Sequence, residues 1–458
     1  ESASPFAEKL GTNYIPSDME IKDIRALLTS PTEQLARIEG QIEEMDVTIR
    51  ELKVKRNALL AAIDAHRALI SPMRHAPDDI LREIFLACLP TGHNALIDPI
   101  EAPILFGRIC RHWRAVAHST PMLWSSVHIP AITEDTRAYI GPKLEAAIKV
   151  WFERSDPCPL SVSLLYPIHY RPNRYDHPVF LLLDVAHRLQ HLVVMGQTAD
   201  LLPILCLGPE SLPLLKSIRL MDMAEKPTDH PDATNALQIP TLRDVSLYLS
   251  TDPLALPLNW AQLTAIKLVC STFPTQHGGY KGGLDGLGAL EVLRRCPNLL
   301  RCELRNTKNP DEDLSLTANT YPLALPHLHT LILRSFVFPT WIPHLSVPNL
   351  RHLELRAGAT PSTELSPIQR SHCSMNANID PYLFTRPALV ELLRAFPAIS
   401  HLHLSTNAVY HPSPLPTTDA FLAHFGPPHN LSPWLTHFTC VDVAAFSDAA
   451  LLGFITAR

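Results

Sequence analysis

Three stretches of the chain share one pattern: PNLLRCEL at residues 297–304, PHLHTLIL at 326–333 and PNLRHLEL at 348–355. Each starts with proline and ends with apolar residues at alternating positions, the spacing of a half-buried β-strand. Proline favours an extended entry and, placed before a strand, removes no ladder hydrogen bond. We therefore predict that each stretch forms one short strand whose alternating residues feed a common core.

The same P-x-L-x-x-L-x-L pattern recurs along the second half of the chain, with starts 21 to 49 residues apart. This irregular repetition is typical of a leucine-rich repeat solenoid, in which stacked strands form one curved parallel sheet. We assign residues 181–458 to this array. Further clear copies lie at 213–220, 240–247 and 397–404, and weaker copies lie at 187–194, 261–268 and 433–440.

The wider spacings between copies leave room for other elements. Residues 284–295 and 386–396 have helical periodicity and run directly into repeat strands. Residues 357–385 and 405–432 have no strong pattern, and we expect loops there. Residues 131–180 are expected to form a connecting helix–strand unit before the array.

Composition excludes some classes of function. The chain has 458 residues and a formal net charge of −6, which argues against nucleic acid as its main partner. No apolar run reaches the roughly 18 residues that a membrane helix needs, so no membrane association is expected. Nine cysteines without paired spacing indicate reduced thiols and a cytoplasmic or nuclear location. The first residue, Glu1, is compatible with a fragment of a longer protein.

Residues 31–70 predict a long heptad helix, preceded by a poorly ordered segment at 1–30. Its apolar positions follow one another at steps of three and four residues, which is typical of a coiled coil. Homodimerisation through residues 35–70 is one hypothesis, and a single amphipathic helix packed on the following domain is the other. The seam comprises Leu35, Ile38, Ile42, Met45, Ile49, Leu52, Arg56, Leu59, Ile63, His66 and Ile70.

Two shorter amphipathic helices are predicted within residues 71–130. The first starts near Pro77 and has one wide apolar face, and the second runs from about Ile104 to Ala117. On a helix, Cys110 and His112 would point about 200° apart, so a shared metal or proton is not expected. We interpret Cys110 and Trp113 as part of a helix-packing face.

This pair of helices resembles the F-box, in which a P-x-x-I-L-x-x-I-F helix precedes an I-C-R-x-W-R helix. The following STPMLWSSVHI at 119–129 is similar to large fungal F-box families. Ala76 departs from the usual leucine, and the connection at 90–103 is longer than in compact F-boxes. The resemblance implies docking to a Skp-family linker subunit and, through it, to a cullin. The docking residues carried over are Pro77, Ile80, Leu81, Ile84, Phe85, Leu89, Ile109, Cys110 and Trp113.

Together these parts predict a fold of the α/β class, α+β overall. It would contain an N-terminal amphipathic or coiled-coil helix, a helical F-box at 71–130 and a leucine-rich repeat solenoid with a curved parallel sheet.

A binding surface for a protein target is expected on the strands of the array. Arg305, Arg334 and Arg356 follow the core pairs of three successive repeats, and guanidinium groups bind carboxylates and phosphates bidentately. An acidic or phosphorylated peptide is one interpretation, with Arg301 and His352 beside the column. The alternative is that Glu303 and Glu354 neutralise it.

No catalytic residues, cofactors or metal site are expected. The G-x-S-x-G and H-E-x-x-H motifs are absent from the sequence. His401 with His403, and His327 with His329, share strand faces without completing a ligand set of recognisable spacing. The resemblance to the F-box implies the function of a non-enzymatic substrate-recognition adaptor in an SCF-type cullin–RING ubiquitin ligase. The alternative is a repeat scaffold that never joins a ligase.

Overall fold

The computed structural model describes residues 4–130, 140–165, 179–222, 234–274, 280–308, 323–337, 345–360, 374–406, 416–441 and 445–457. The chain divides into two units, Glu1–Ile80 and Leu81–Arg458.

The first unit consists mainly of helix α1, Asp18–Leu69. Ser17 and Glu20 form a capping box that satisfies backbone donors at its start. The helix includes residues 18–30, which the sequence analysis assigned to a poorly ordered segment, and Pro31 lies inside it. The heptad seam is exposed throughout, from 45 % at Ile63 to 76 % at Ile70 among its apolar members.

Within the described ranges, the second unit contains most of the remaining helices and all of the strands. The helices are α2 Asp78–Ala87, which crosses the boundary between the units, α3 Phe106–Ile109, α4 Arg111–His118, α5 Ile140–Arg154, α6 Val179–Asp184, α7 Thr198–Leu205, α8 Gly286–Arg295, α9 Arg386–Ala395, α10 Asp419–Leu422 and α11 Asp448–Thr456. The strands are β1 Ser126–Ile129, β2 Leu160–Leu165, β3 Leu189–Gly196, β4 Ser217–Asp222, β5 Asp244–Leu249, β6 Ala265–Cys270, β7 Thr272–Pro274, β8 Tyr280–Gly282, β9 Arg301–Arg305, β10 Leu323–Ala324, β11 Thr330–Val337, β12 Leu345–Ser346, β13 His352–Thr360, β14 Met375–Ile379, β15 Ile399–Ser405 and β16 His437–Val441.

One 12-stranded sheet organises this unit, in the order β1-β2-β3-β4-β5-β6-β9-β11-β13-β14-β15-β16. Neighbouring strands pair in parallel and follow one another in sequence order. The α/β class is therefore confirmed, and each repeat copy contains a strand of this sheet, as predicted. Residues 284–295 and 386–396 contain helices α8 and α9, also as predicted.

The core follows from the register of the repeats. Leu331 is aligned with Cys302 of β9 and with Leu353 of β13. Leu333 is aligned with Leu304 of β9. All five side chains are at most 3 % exposed. Alternation along each strand places these apolar residues on one face of the sheet and the charged residues between them on the other.

The sheet begins at β1 and β2, within residues 71–130 and 131–180, so it extends beyond residues 181–458. Three further sequence assignments need correction. Strand β14 lies within residues 357–385, where we expected only loop. Residues 405–432 contain α10. The helix expected over 104–117 is interrupted at Cys110, whose φ of −157° and ψ of 170° are extended.

Outside the gaps in the described ranges, none of the helices has both the length and the apolar character that crossing a membrane requires.

Candidate functional site

An aromatic cluster organises the helices at the start of the second unit. The rings of Phe85 and Phe106 are stacked, with centroids 4.1 Å apart, and Trp113 lies 4.9 Å from Phe85. Phe85 is fully buried and Phe106 is 4 % exposed. Trp113 is only partly buried. These contacts hold α2, α3 and α4 together within the chain itself.

Cys110 has a different role from the predicted one. It is the N-cap of α4, and its Sγ accepts a hydrogen bond from the backbone N–H of Trp113 at 3.4 Å. Because the backbone of Cys110 is extended, the angle of about 200° predicted between Cys110 and His112 on one helix does not apply. A thiol is a weak acceptor, and sequence rules for N-caps favour serine, threonine, aspartate and asparagine, so the break gave little signal.

The nine residues expected to dock a partner fall into three groups by exposure. Leu81 and Phe85 are 0 % exposed, so in the free chain they are core residues. Ile80, at the end of the first unit, is 48 % exposed, and Ile109 is 52 % exposed. Pro77 is also exposed, whereas Ile84, Leu89, Cys110 and Trp113 are partly buried.

The polar face of the sheet is the second candidate surface. We define it by the strand positions that alternate with the buried core, beginning with Arg301, Glu303 and Arg305 of β9. The register aligns Arg334 with both Arg305 and Arg356, so the predicted arginine column exists. It also aligns Thr330 with Arg301 and with His352.

Two glutamates neutralise much of that column. The Nη2 of Arg334 lies 3.7 Å from Oε1 of Glu303 and 3.6 Å from Oε1 of Glu354. Arg356 Nε lies 3.3 Å from Oε1 of Glu354, and Lys267 Nζ lies 2.8 Å from Oε1 of Glu303. Arg334 and Arg356 are therefore paired with glutamates, as the second interpretation of the arginine column expects.

Positive charge without a close acidic partner lies instead on β9. Within the described ranges, neither Arg301 nor Arg305 has a carboxylate within 4.0 Å, and both side chains are exposed. Arg219 of β4 is also exposed, and in the described strands no carboxylate lies within 4.0 Å of it. Burial raises the pKa of Asp244, and the nearby charges of Arg219 and Arg301 oppose that shift.

Lys267 connects two strands of this face electrostatically. Its partial burial would by itself lower its pKa, but hydrogen bonds to Glu303 and Tyr248 outweigh burial, so the pKa is raised. The ammonium also lies 5.4 Å from the centre of the Tyr248 ring. Sequence reasoning missed four residues of this face, because they occupy inter-leucine positions outside the arginine column: Arg219, Asp244, Tyr248 and Lys267.

Histidines group near the C-terminal strands of the same face. His401 and His437 stack with ring centroids 4.1 Å apart, and His403 is two residues further along β15. In the part of the chain that the structure describes, no three histidine, cysteine or acidic side chains are grouped so that they could hold a metal ion. His327 and His329 lie beside β11 and outside any such group.

Three buried cysteine thiols have raised pKa values. Burial raises the pKa of Cys270 and of Cys296 to about 12 and that of Cys302 still higher. A thiolate is needed for nucleophilic attack, so these three cysteines have no catalytic character near neutral pH.

No protein-family model matches the chain, and no curated protein matches its sequence at a significant level.

Proposed function

We propose that the chain is a non-catalytic adaptor. Its F-box-like helices would dock a Skp-family linker subunit and thereby a cullin, and its leucine-rich repeats would hold a protein target. The chain itself would perform no chemistry. It would raise the effective concentration of the target's lysines near a conjugating enzyme that other subunits supply.

The docking proposal is supported by a difference in exposure between aromatic and aliphatic side chains in and beside helices α2 and α3. Phe85 and Phe106 are sealed inside the chain, whereas Leu105 and Ile109, on either side of Phe106, are 37 % and 52 % exposed. Exposed aliphatic residues on a rigid helical support are what a partner helix would cover. The sealed aromatic core would fix their positions before the partner arrives.

A direct binding assay tests this docking. The full chain is mixed with a purified Skp-family linker subunit, and affinity is measured by titration calorimetry. We expect saturable binding that Ile109→Asp weakens at least tenfold. Leu214→Asp is the matched control, because Leu214 is 40 % exposed and lies in the repeats. No binding by the wild-type chain, or equal loss in both variants, would contradict docking and leave the scaffold function.

We propose that the target contacts the polar face near β9. Arg301 and Arg305 lie on one strand on either side of Glu303, and a peptide with several carboxylates or phosphates could pair with each cation. Arg334 and Arg356 would contribute less, because Glu303 and Glu354 already pair with them. The preferred target is therefore an acidic or phosphorylated segment.

Matched peptide pools test this assignment. A phosphoserine peptide library and its unphosphorylated counterpart are passed over the immobilised full chain. We expect retention of acidic or phosphorylated sequences, reduced at least tenfold by Arg305→Glu and less by Arg334→Glu. Arg394→Glu, on helix α9, is the control and should retain peptides as the wild type does. Retention unaffected by Arg305→Glu would exclude this surface.

We also propose a parallel homodimer through α1. Its heptad positions are spaced for a partner helix, and seam residues such as Ile42 and Ile49 remain 51 % and 46 % exposed. Sedimentation equilibrium of the full chain should give a dimer mass, reduced to a monomer by the double substitution Ile42→Glu with Ile49→Glu. The double substitution Val47→Glu with Val54→Glu adds the same charge off the seam. It is the control and should keep the dimer mass of the wild type. A wild-type monomer would refute the dimer.

A further inference from the structure

A cavity of about 450 Å³ lies between helices α3, α4 and α5 of the second unit. It is separate from the polar face of the sheet. Its walls are mainly apolar and include Ile104, Trp124, Val150 and Trp151. Its volume falls within the roughly 300–1,000 Å³ that is usual for small-molecule sites.

Cationic groups line the same cavity, and acidic groups do not. Arg108, Arg114, Arg154 and His118 are among the lining residues, whereas no aspartate or glutamate of the described ranges is. In those ranges, none of the three arginines has a carboxylate within 4.0 Å. Like charges that converge repel one another, so a bound anion would relieve the cost of their arrangement.

The side-chain contacts fix where these charges lie. The guanidinium carbon of Arg154 lies 4.5 Å from the centre of the Trp124 ring, and Trp124 packs against Trp151 with ring centroids 4.9 Å apart. Arg114 Nε donates to the Gly107 carbonyl at 2.6 Å. The indole ring of Trp124 is itself anchored, because its Nε1 donates to the Ala117 carbonyl at 2.8 Å.

Electrostatics agrees with this geometry. The pKa of His118 is lowered, first by burial and then by the positive charges of Arg154 and Arg114. The pKa of Arg154 is also lowered by burial. The charges of Arg154 and Arg114 therefore both act on the His118 imidazole.

We propose that this cavity binds a small organic anion, a monocarboxylate with an apolar body. The apolar walls would take the body, and Arg154, stacked on Trp124, would meet the head group at the rim. A monoanion suits the site better than a multiply charged ligand, because Arg114 and Arg108 already donate to the carbonyls of Gly107 and Pro99. Arg–carboxylate pairing of this kind is charge-assisted and directional.

Decanoate is the probe, with decanol as its neutral counterpart, and titration calorimetry on the full chain measures affinity. We expect decanoate to bind at least tenfold more tightly than decanol. Arg154→Met keeps the apolar stem but removes the charge, and it should lower decanoate affinity about tenfold. Arg111→Met is the control, because Arg111 lies on the same helix as Arg114 but does not line the cavity. Equal affinities for the two probes, or no saturable binding, would overturn the proposal.

A second variant tests the location. Ala147→Leu places a larger helix-forming residue on the cavity wall, and it should weaken binding of both probes while circular dichroism and the melting temperature stay unchanged. Unchanged binding would show that the probe sits elsewhere.

A third variant tests whether the chain occupies its own cavity. Residues 131–139, immediately before α5, lie outside the described ranges and contain Glu134 and Asp135. The double substitution Glu134→Gln with Asp135→Asn should leave decanoate binding unchanged. Binding at least tenfold tighter in that variant would show that the chain's own carboxylates hold the site, and would overturn an external ligand.

Discussion

The aromatic ring of Phe85 lies parallel to that of Phe106, with 4.1 Å between the centroids and 9° between the planes. Phe85 is fully buried, so this contact belongs to the chain's own core. Phe85→Ala should lower the free energy of unfolding by about 3–5 kcal/mol, because it leaves a cavity beside Phe106. Urea denaturation followed by circular dichroism measures the loss. Ile109→Asp should change stability by less than about 0.5 kcal/mol, and a larger loss there would mean that Ile109 is a core residue.

Arg188 is a buried cation that holds a chain connection in place. It donates to the carbonyls of Cys158 and Phe152 at 3.0 and 3.2 Å and to Ser155 Oγ at 2.7 Å. Arg188→Met should cost about 2–4 kcal/mol of stability, because three acceptors lose a charged donor.

Arg188→Lys should recover only part of that loss, since one ammonium cannot reproduce the planar fork of a guanidinium. Urea titration of both variants tests this. A lysine variant as stable as the wild type would show that charge alone is required.

The thiols should react according to their exposure. Cys88 and Cys206 are exposed, whereas Cys270, Cys296 and Cys302 are buried. With pKa values of about 12, Cys270 and Cys296 remain protonated at pH 8. Iodoacetamide at that pH should therefore modify the two exposed cysteines first, as read by peptide mass spectrometry. Labelling in urea, where all of these thiols should react, is the control, and early modification of Cys302 in native protein would contradict the buried core.

Glu303 is the acidic residue that organises the polar face. It is 5 % exposed, accepts from Lys267 at 2.8 Å and lies near Arg334. Glu303→Gln should lower stability by about 1–3 kcal/mol, because it leaves Lys267 without its counterion and removes one of the two carboxylates near Arg334. Glu391→Gln breaks only an exposed pair with Arg394 and should cost less than about 0.5 kcal/mol. Equal melting temperatures for the two variants would contradict this difference.

Acid should loosen the start of α1. Hydrogen bonds from Lys9 and from Ser17 lower the pKa of Glu20 to about 2, below its ordinary value of 4.5. The capping contribution is therefore present above pH 4.5 and is lost as the pH falls towards 2. The Glu20 carboxyl resonance should titrate near pH 2, and its neighbours' amides should exchange faster in Glu20→Gln. A midpoint near 4.5 would mean that the capping box is not formed in solution.

The repeat strands could be predicted from sequence because proline and three apolar residues recur at fixed spacing. Strand β14 was missed because Met375, Ala377 and Ile379 alternate correctly but contain neither a leading proline nor a leucine. The break at Cys110 was missed for a different reason, because the apolar periodicity continues across it.

The arginine column illustrates the limit of prediction for the candidate site. Its alignment followed from the repeat register, which sequence encodes. Its neutralisation depends on side-chain reach across strands, such as Arg334 between Glu303 and Glu354, which sequence spacing does not fix.

The strict succession of parallel strands has a consequence for how this sheet comes apart. Because interior strands such as β9 touch only the strands before and after them in the sheet, stability should add up as a series of nearest-neighbour steps, and fraying should begin at the β1 and β16 borders. Hydrogen exchange would then be slowest near the middle of the series. By the same logic, whole strands could be gained or lost over evolution while the surviving ones keep their packing partners.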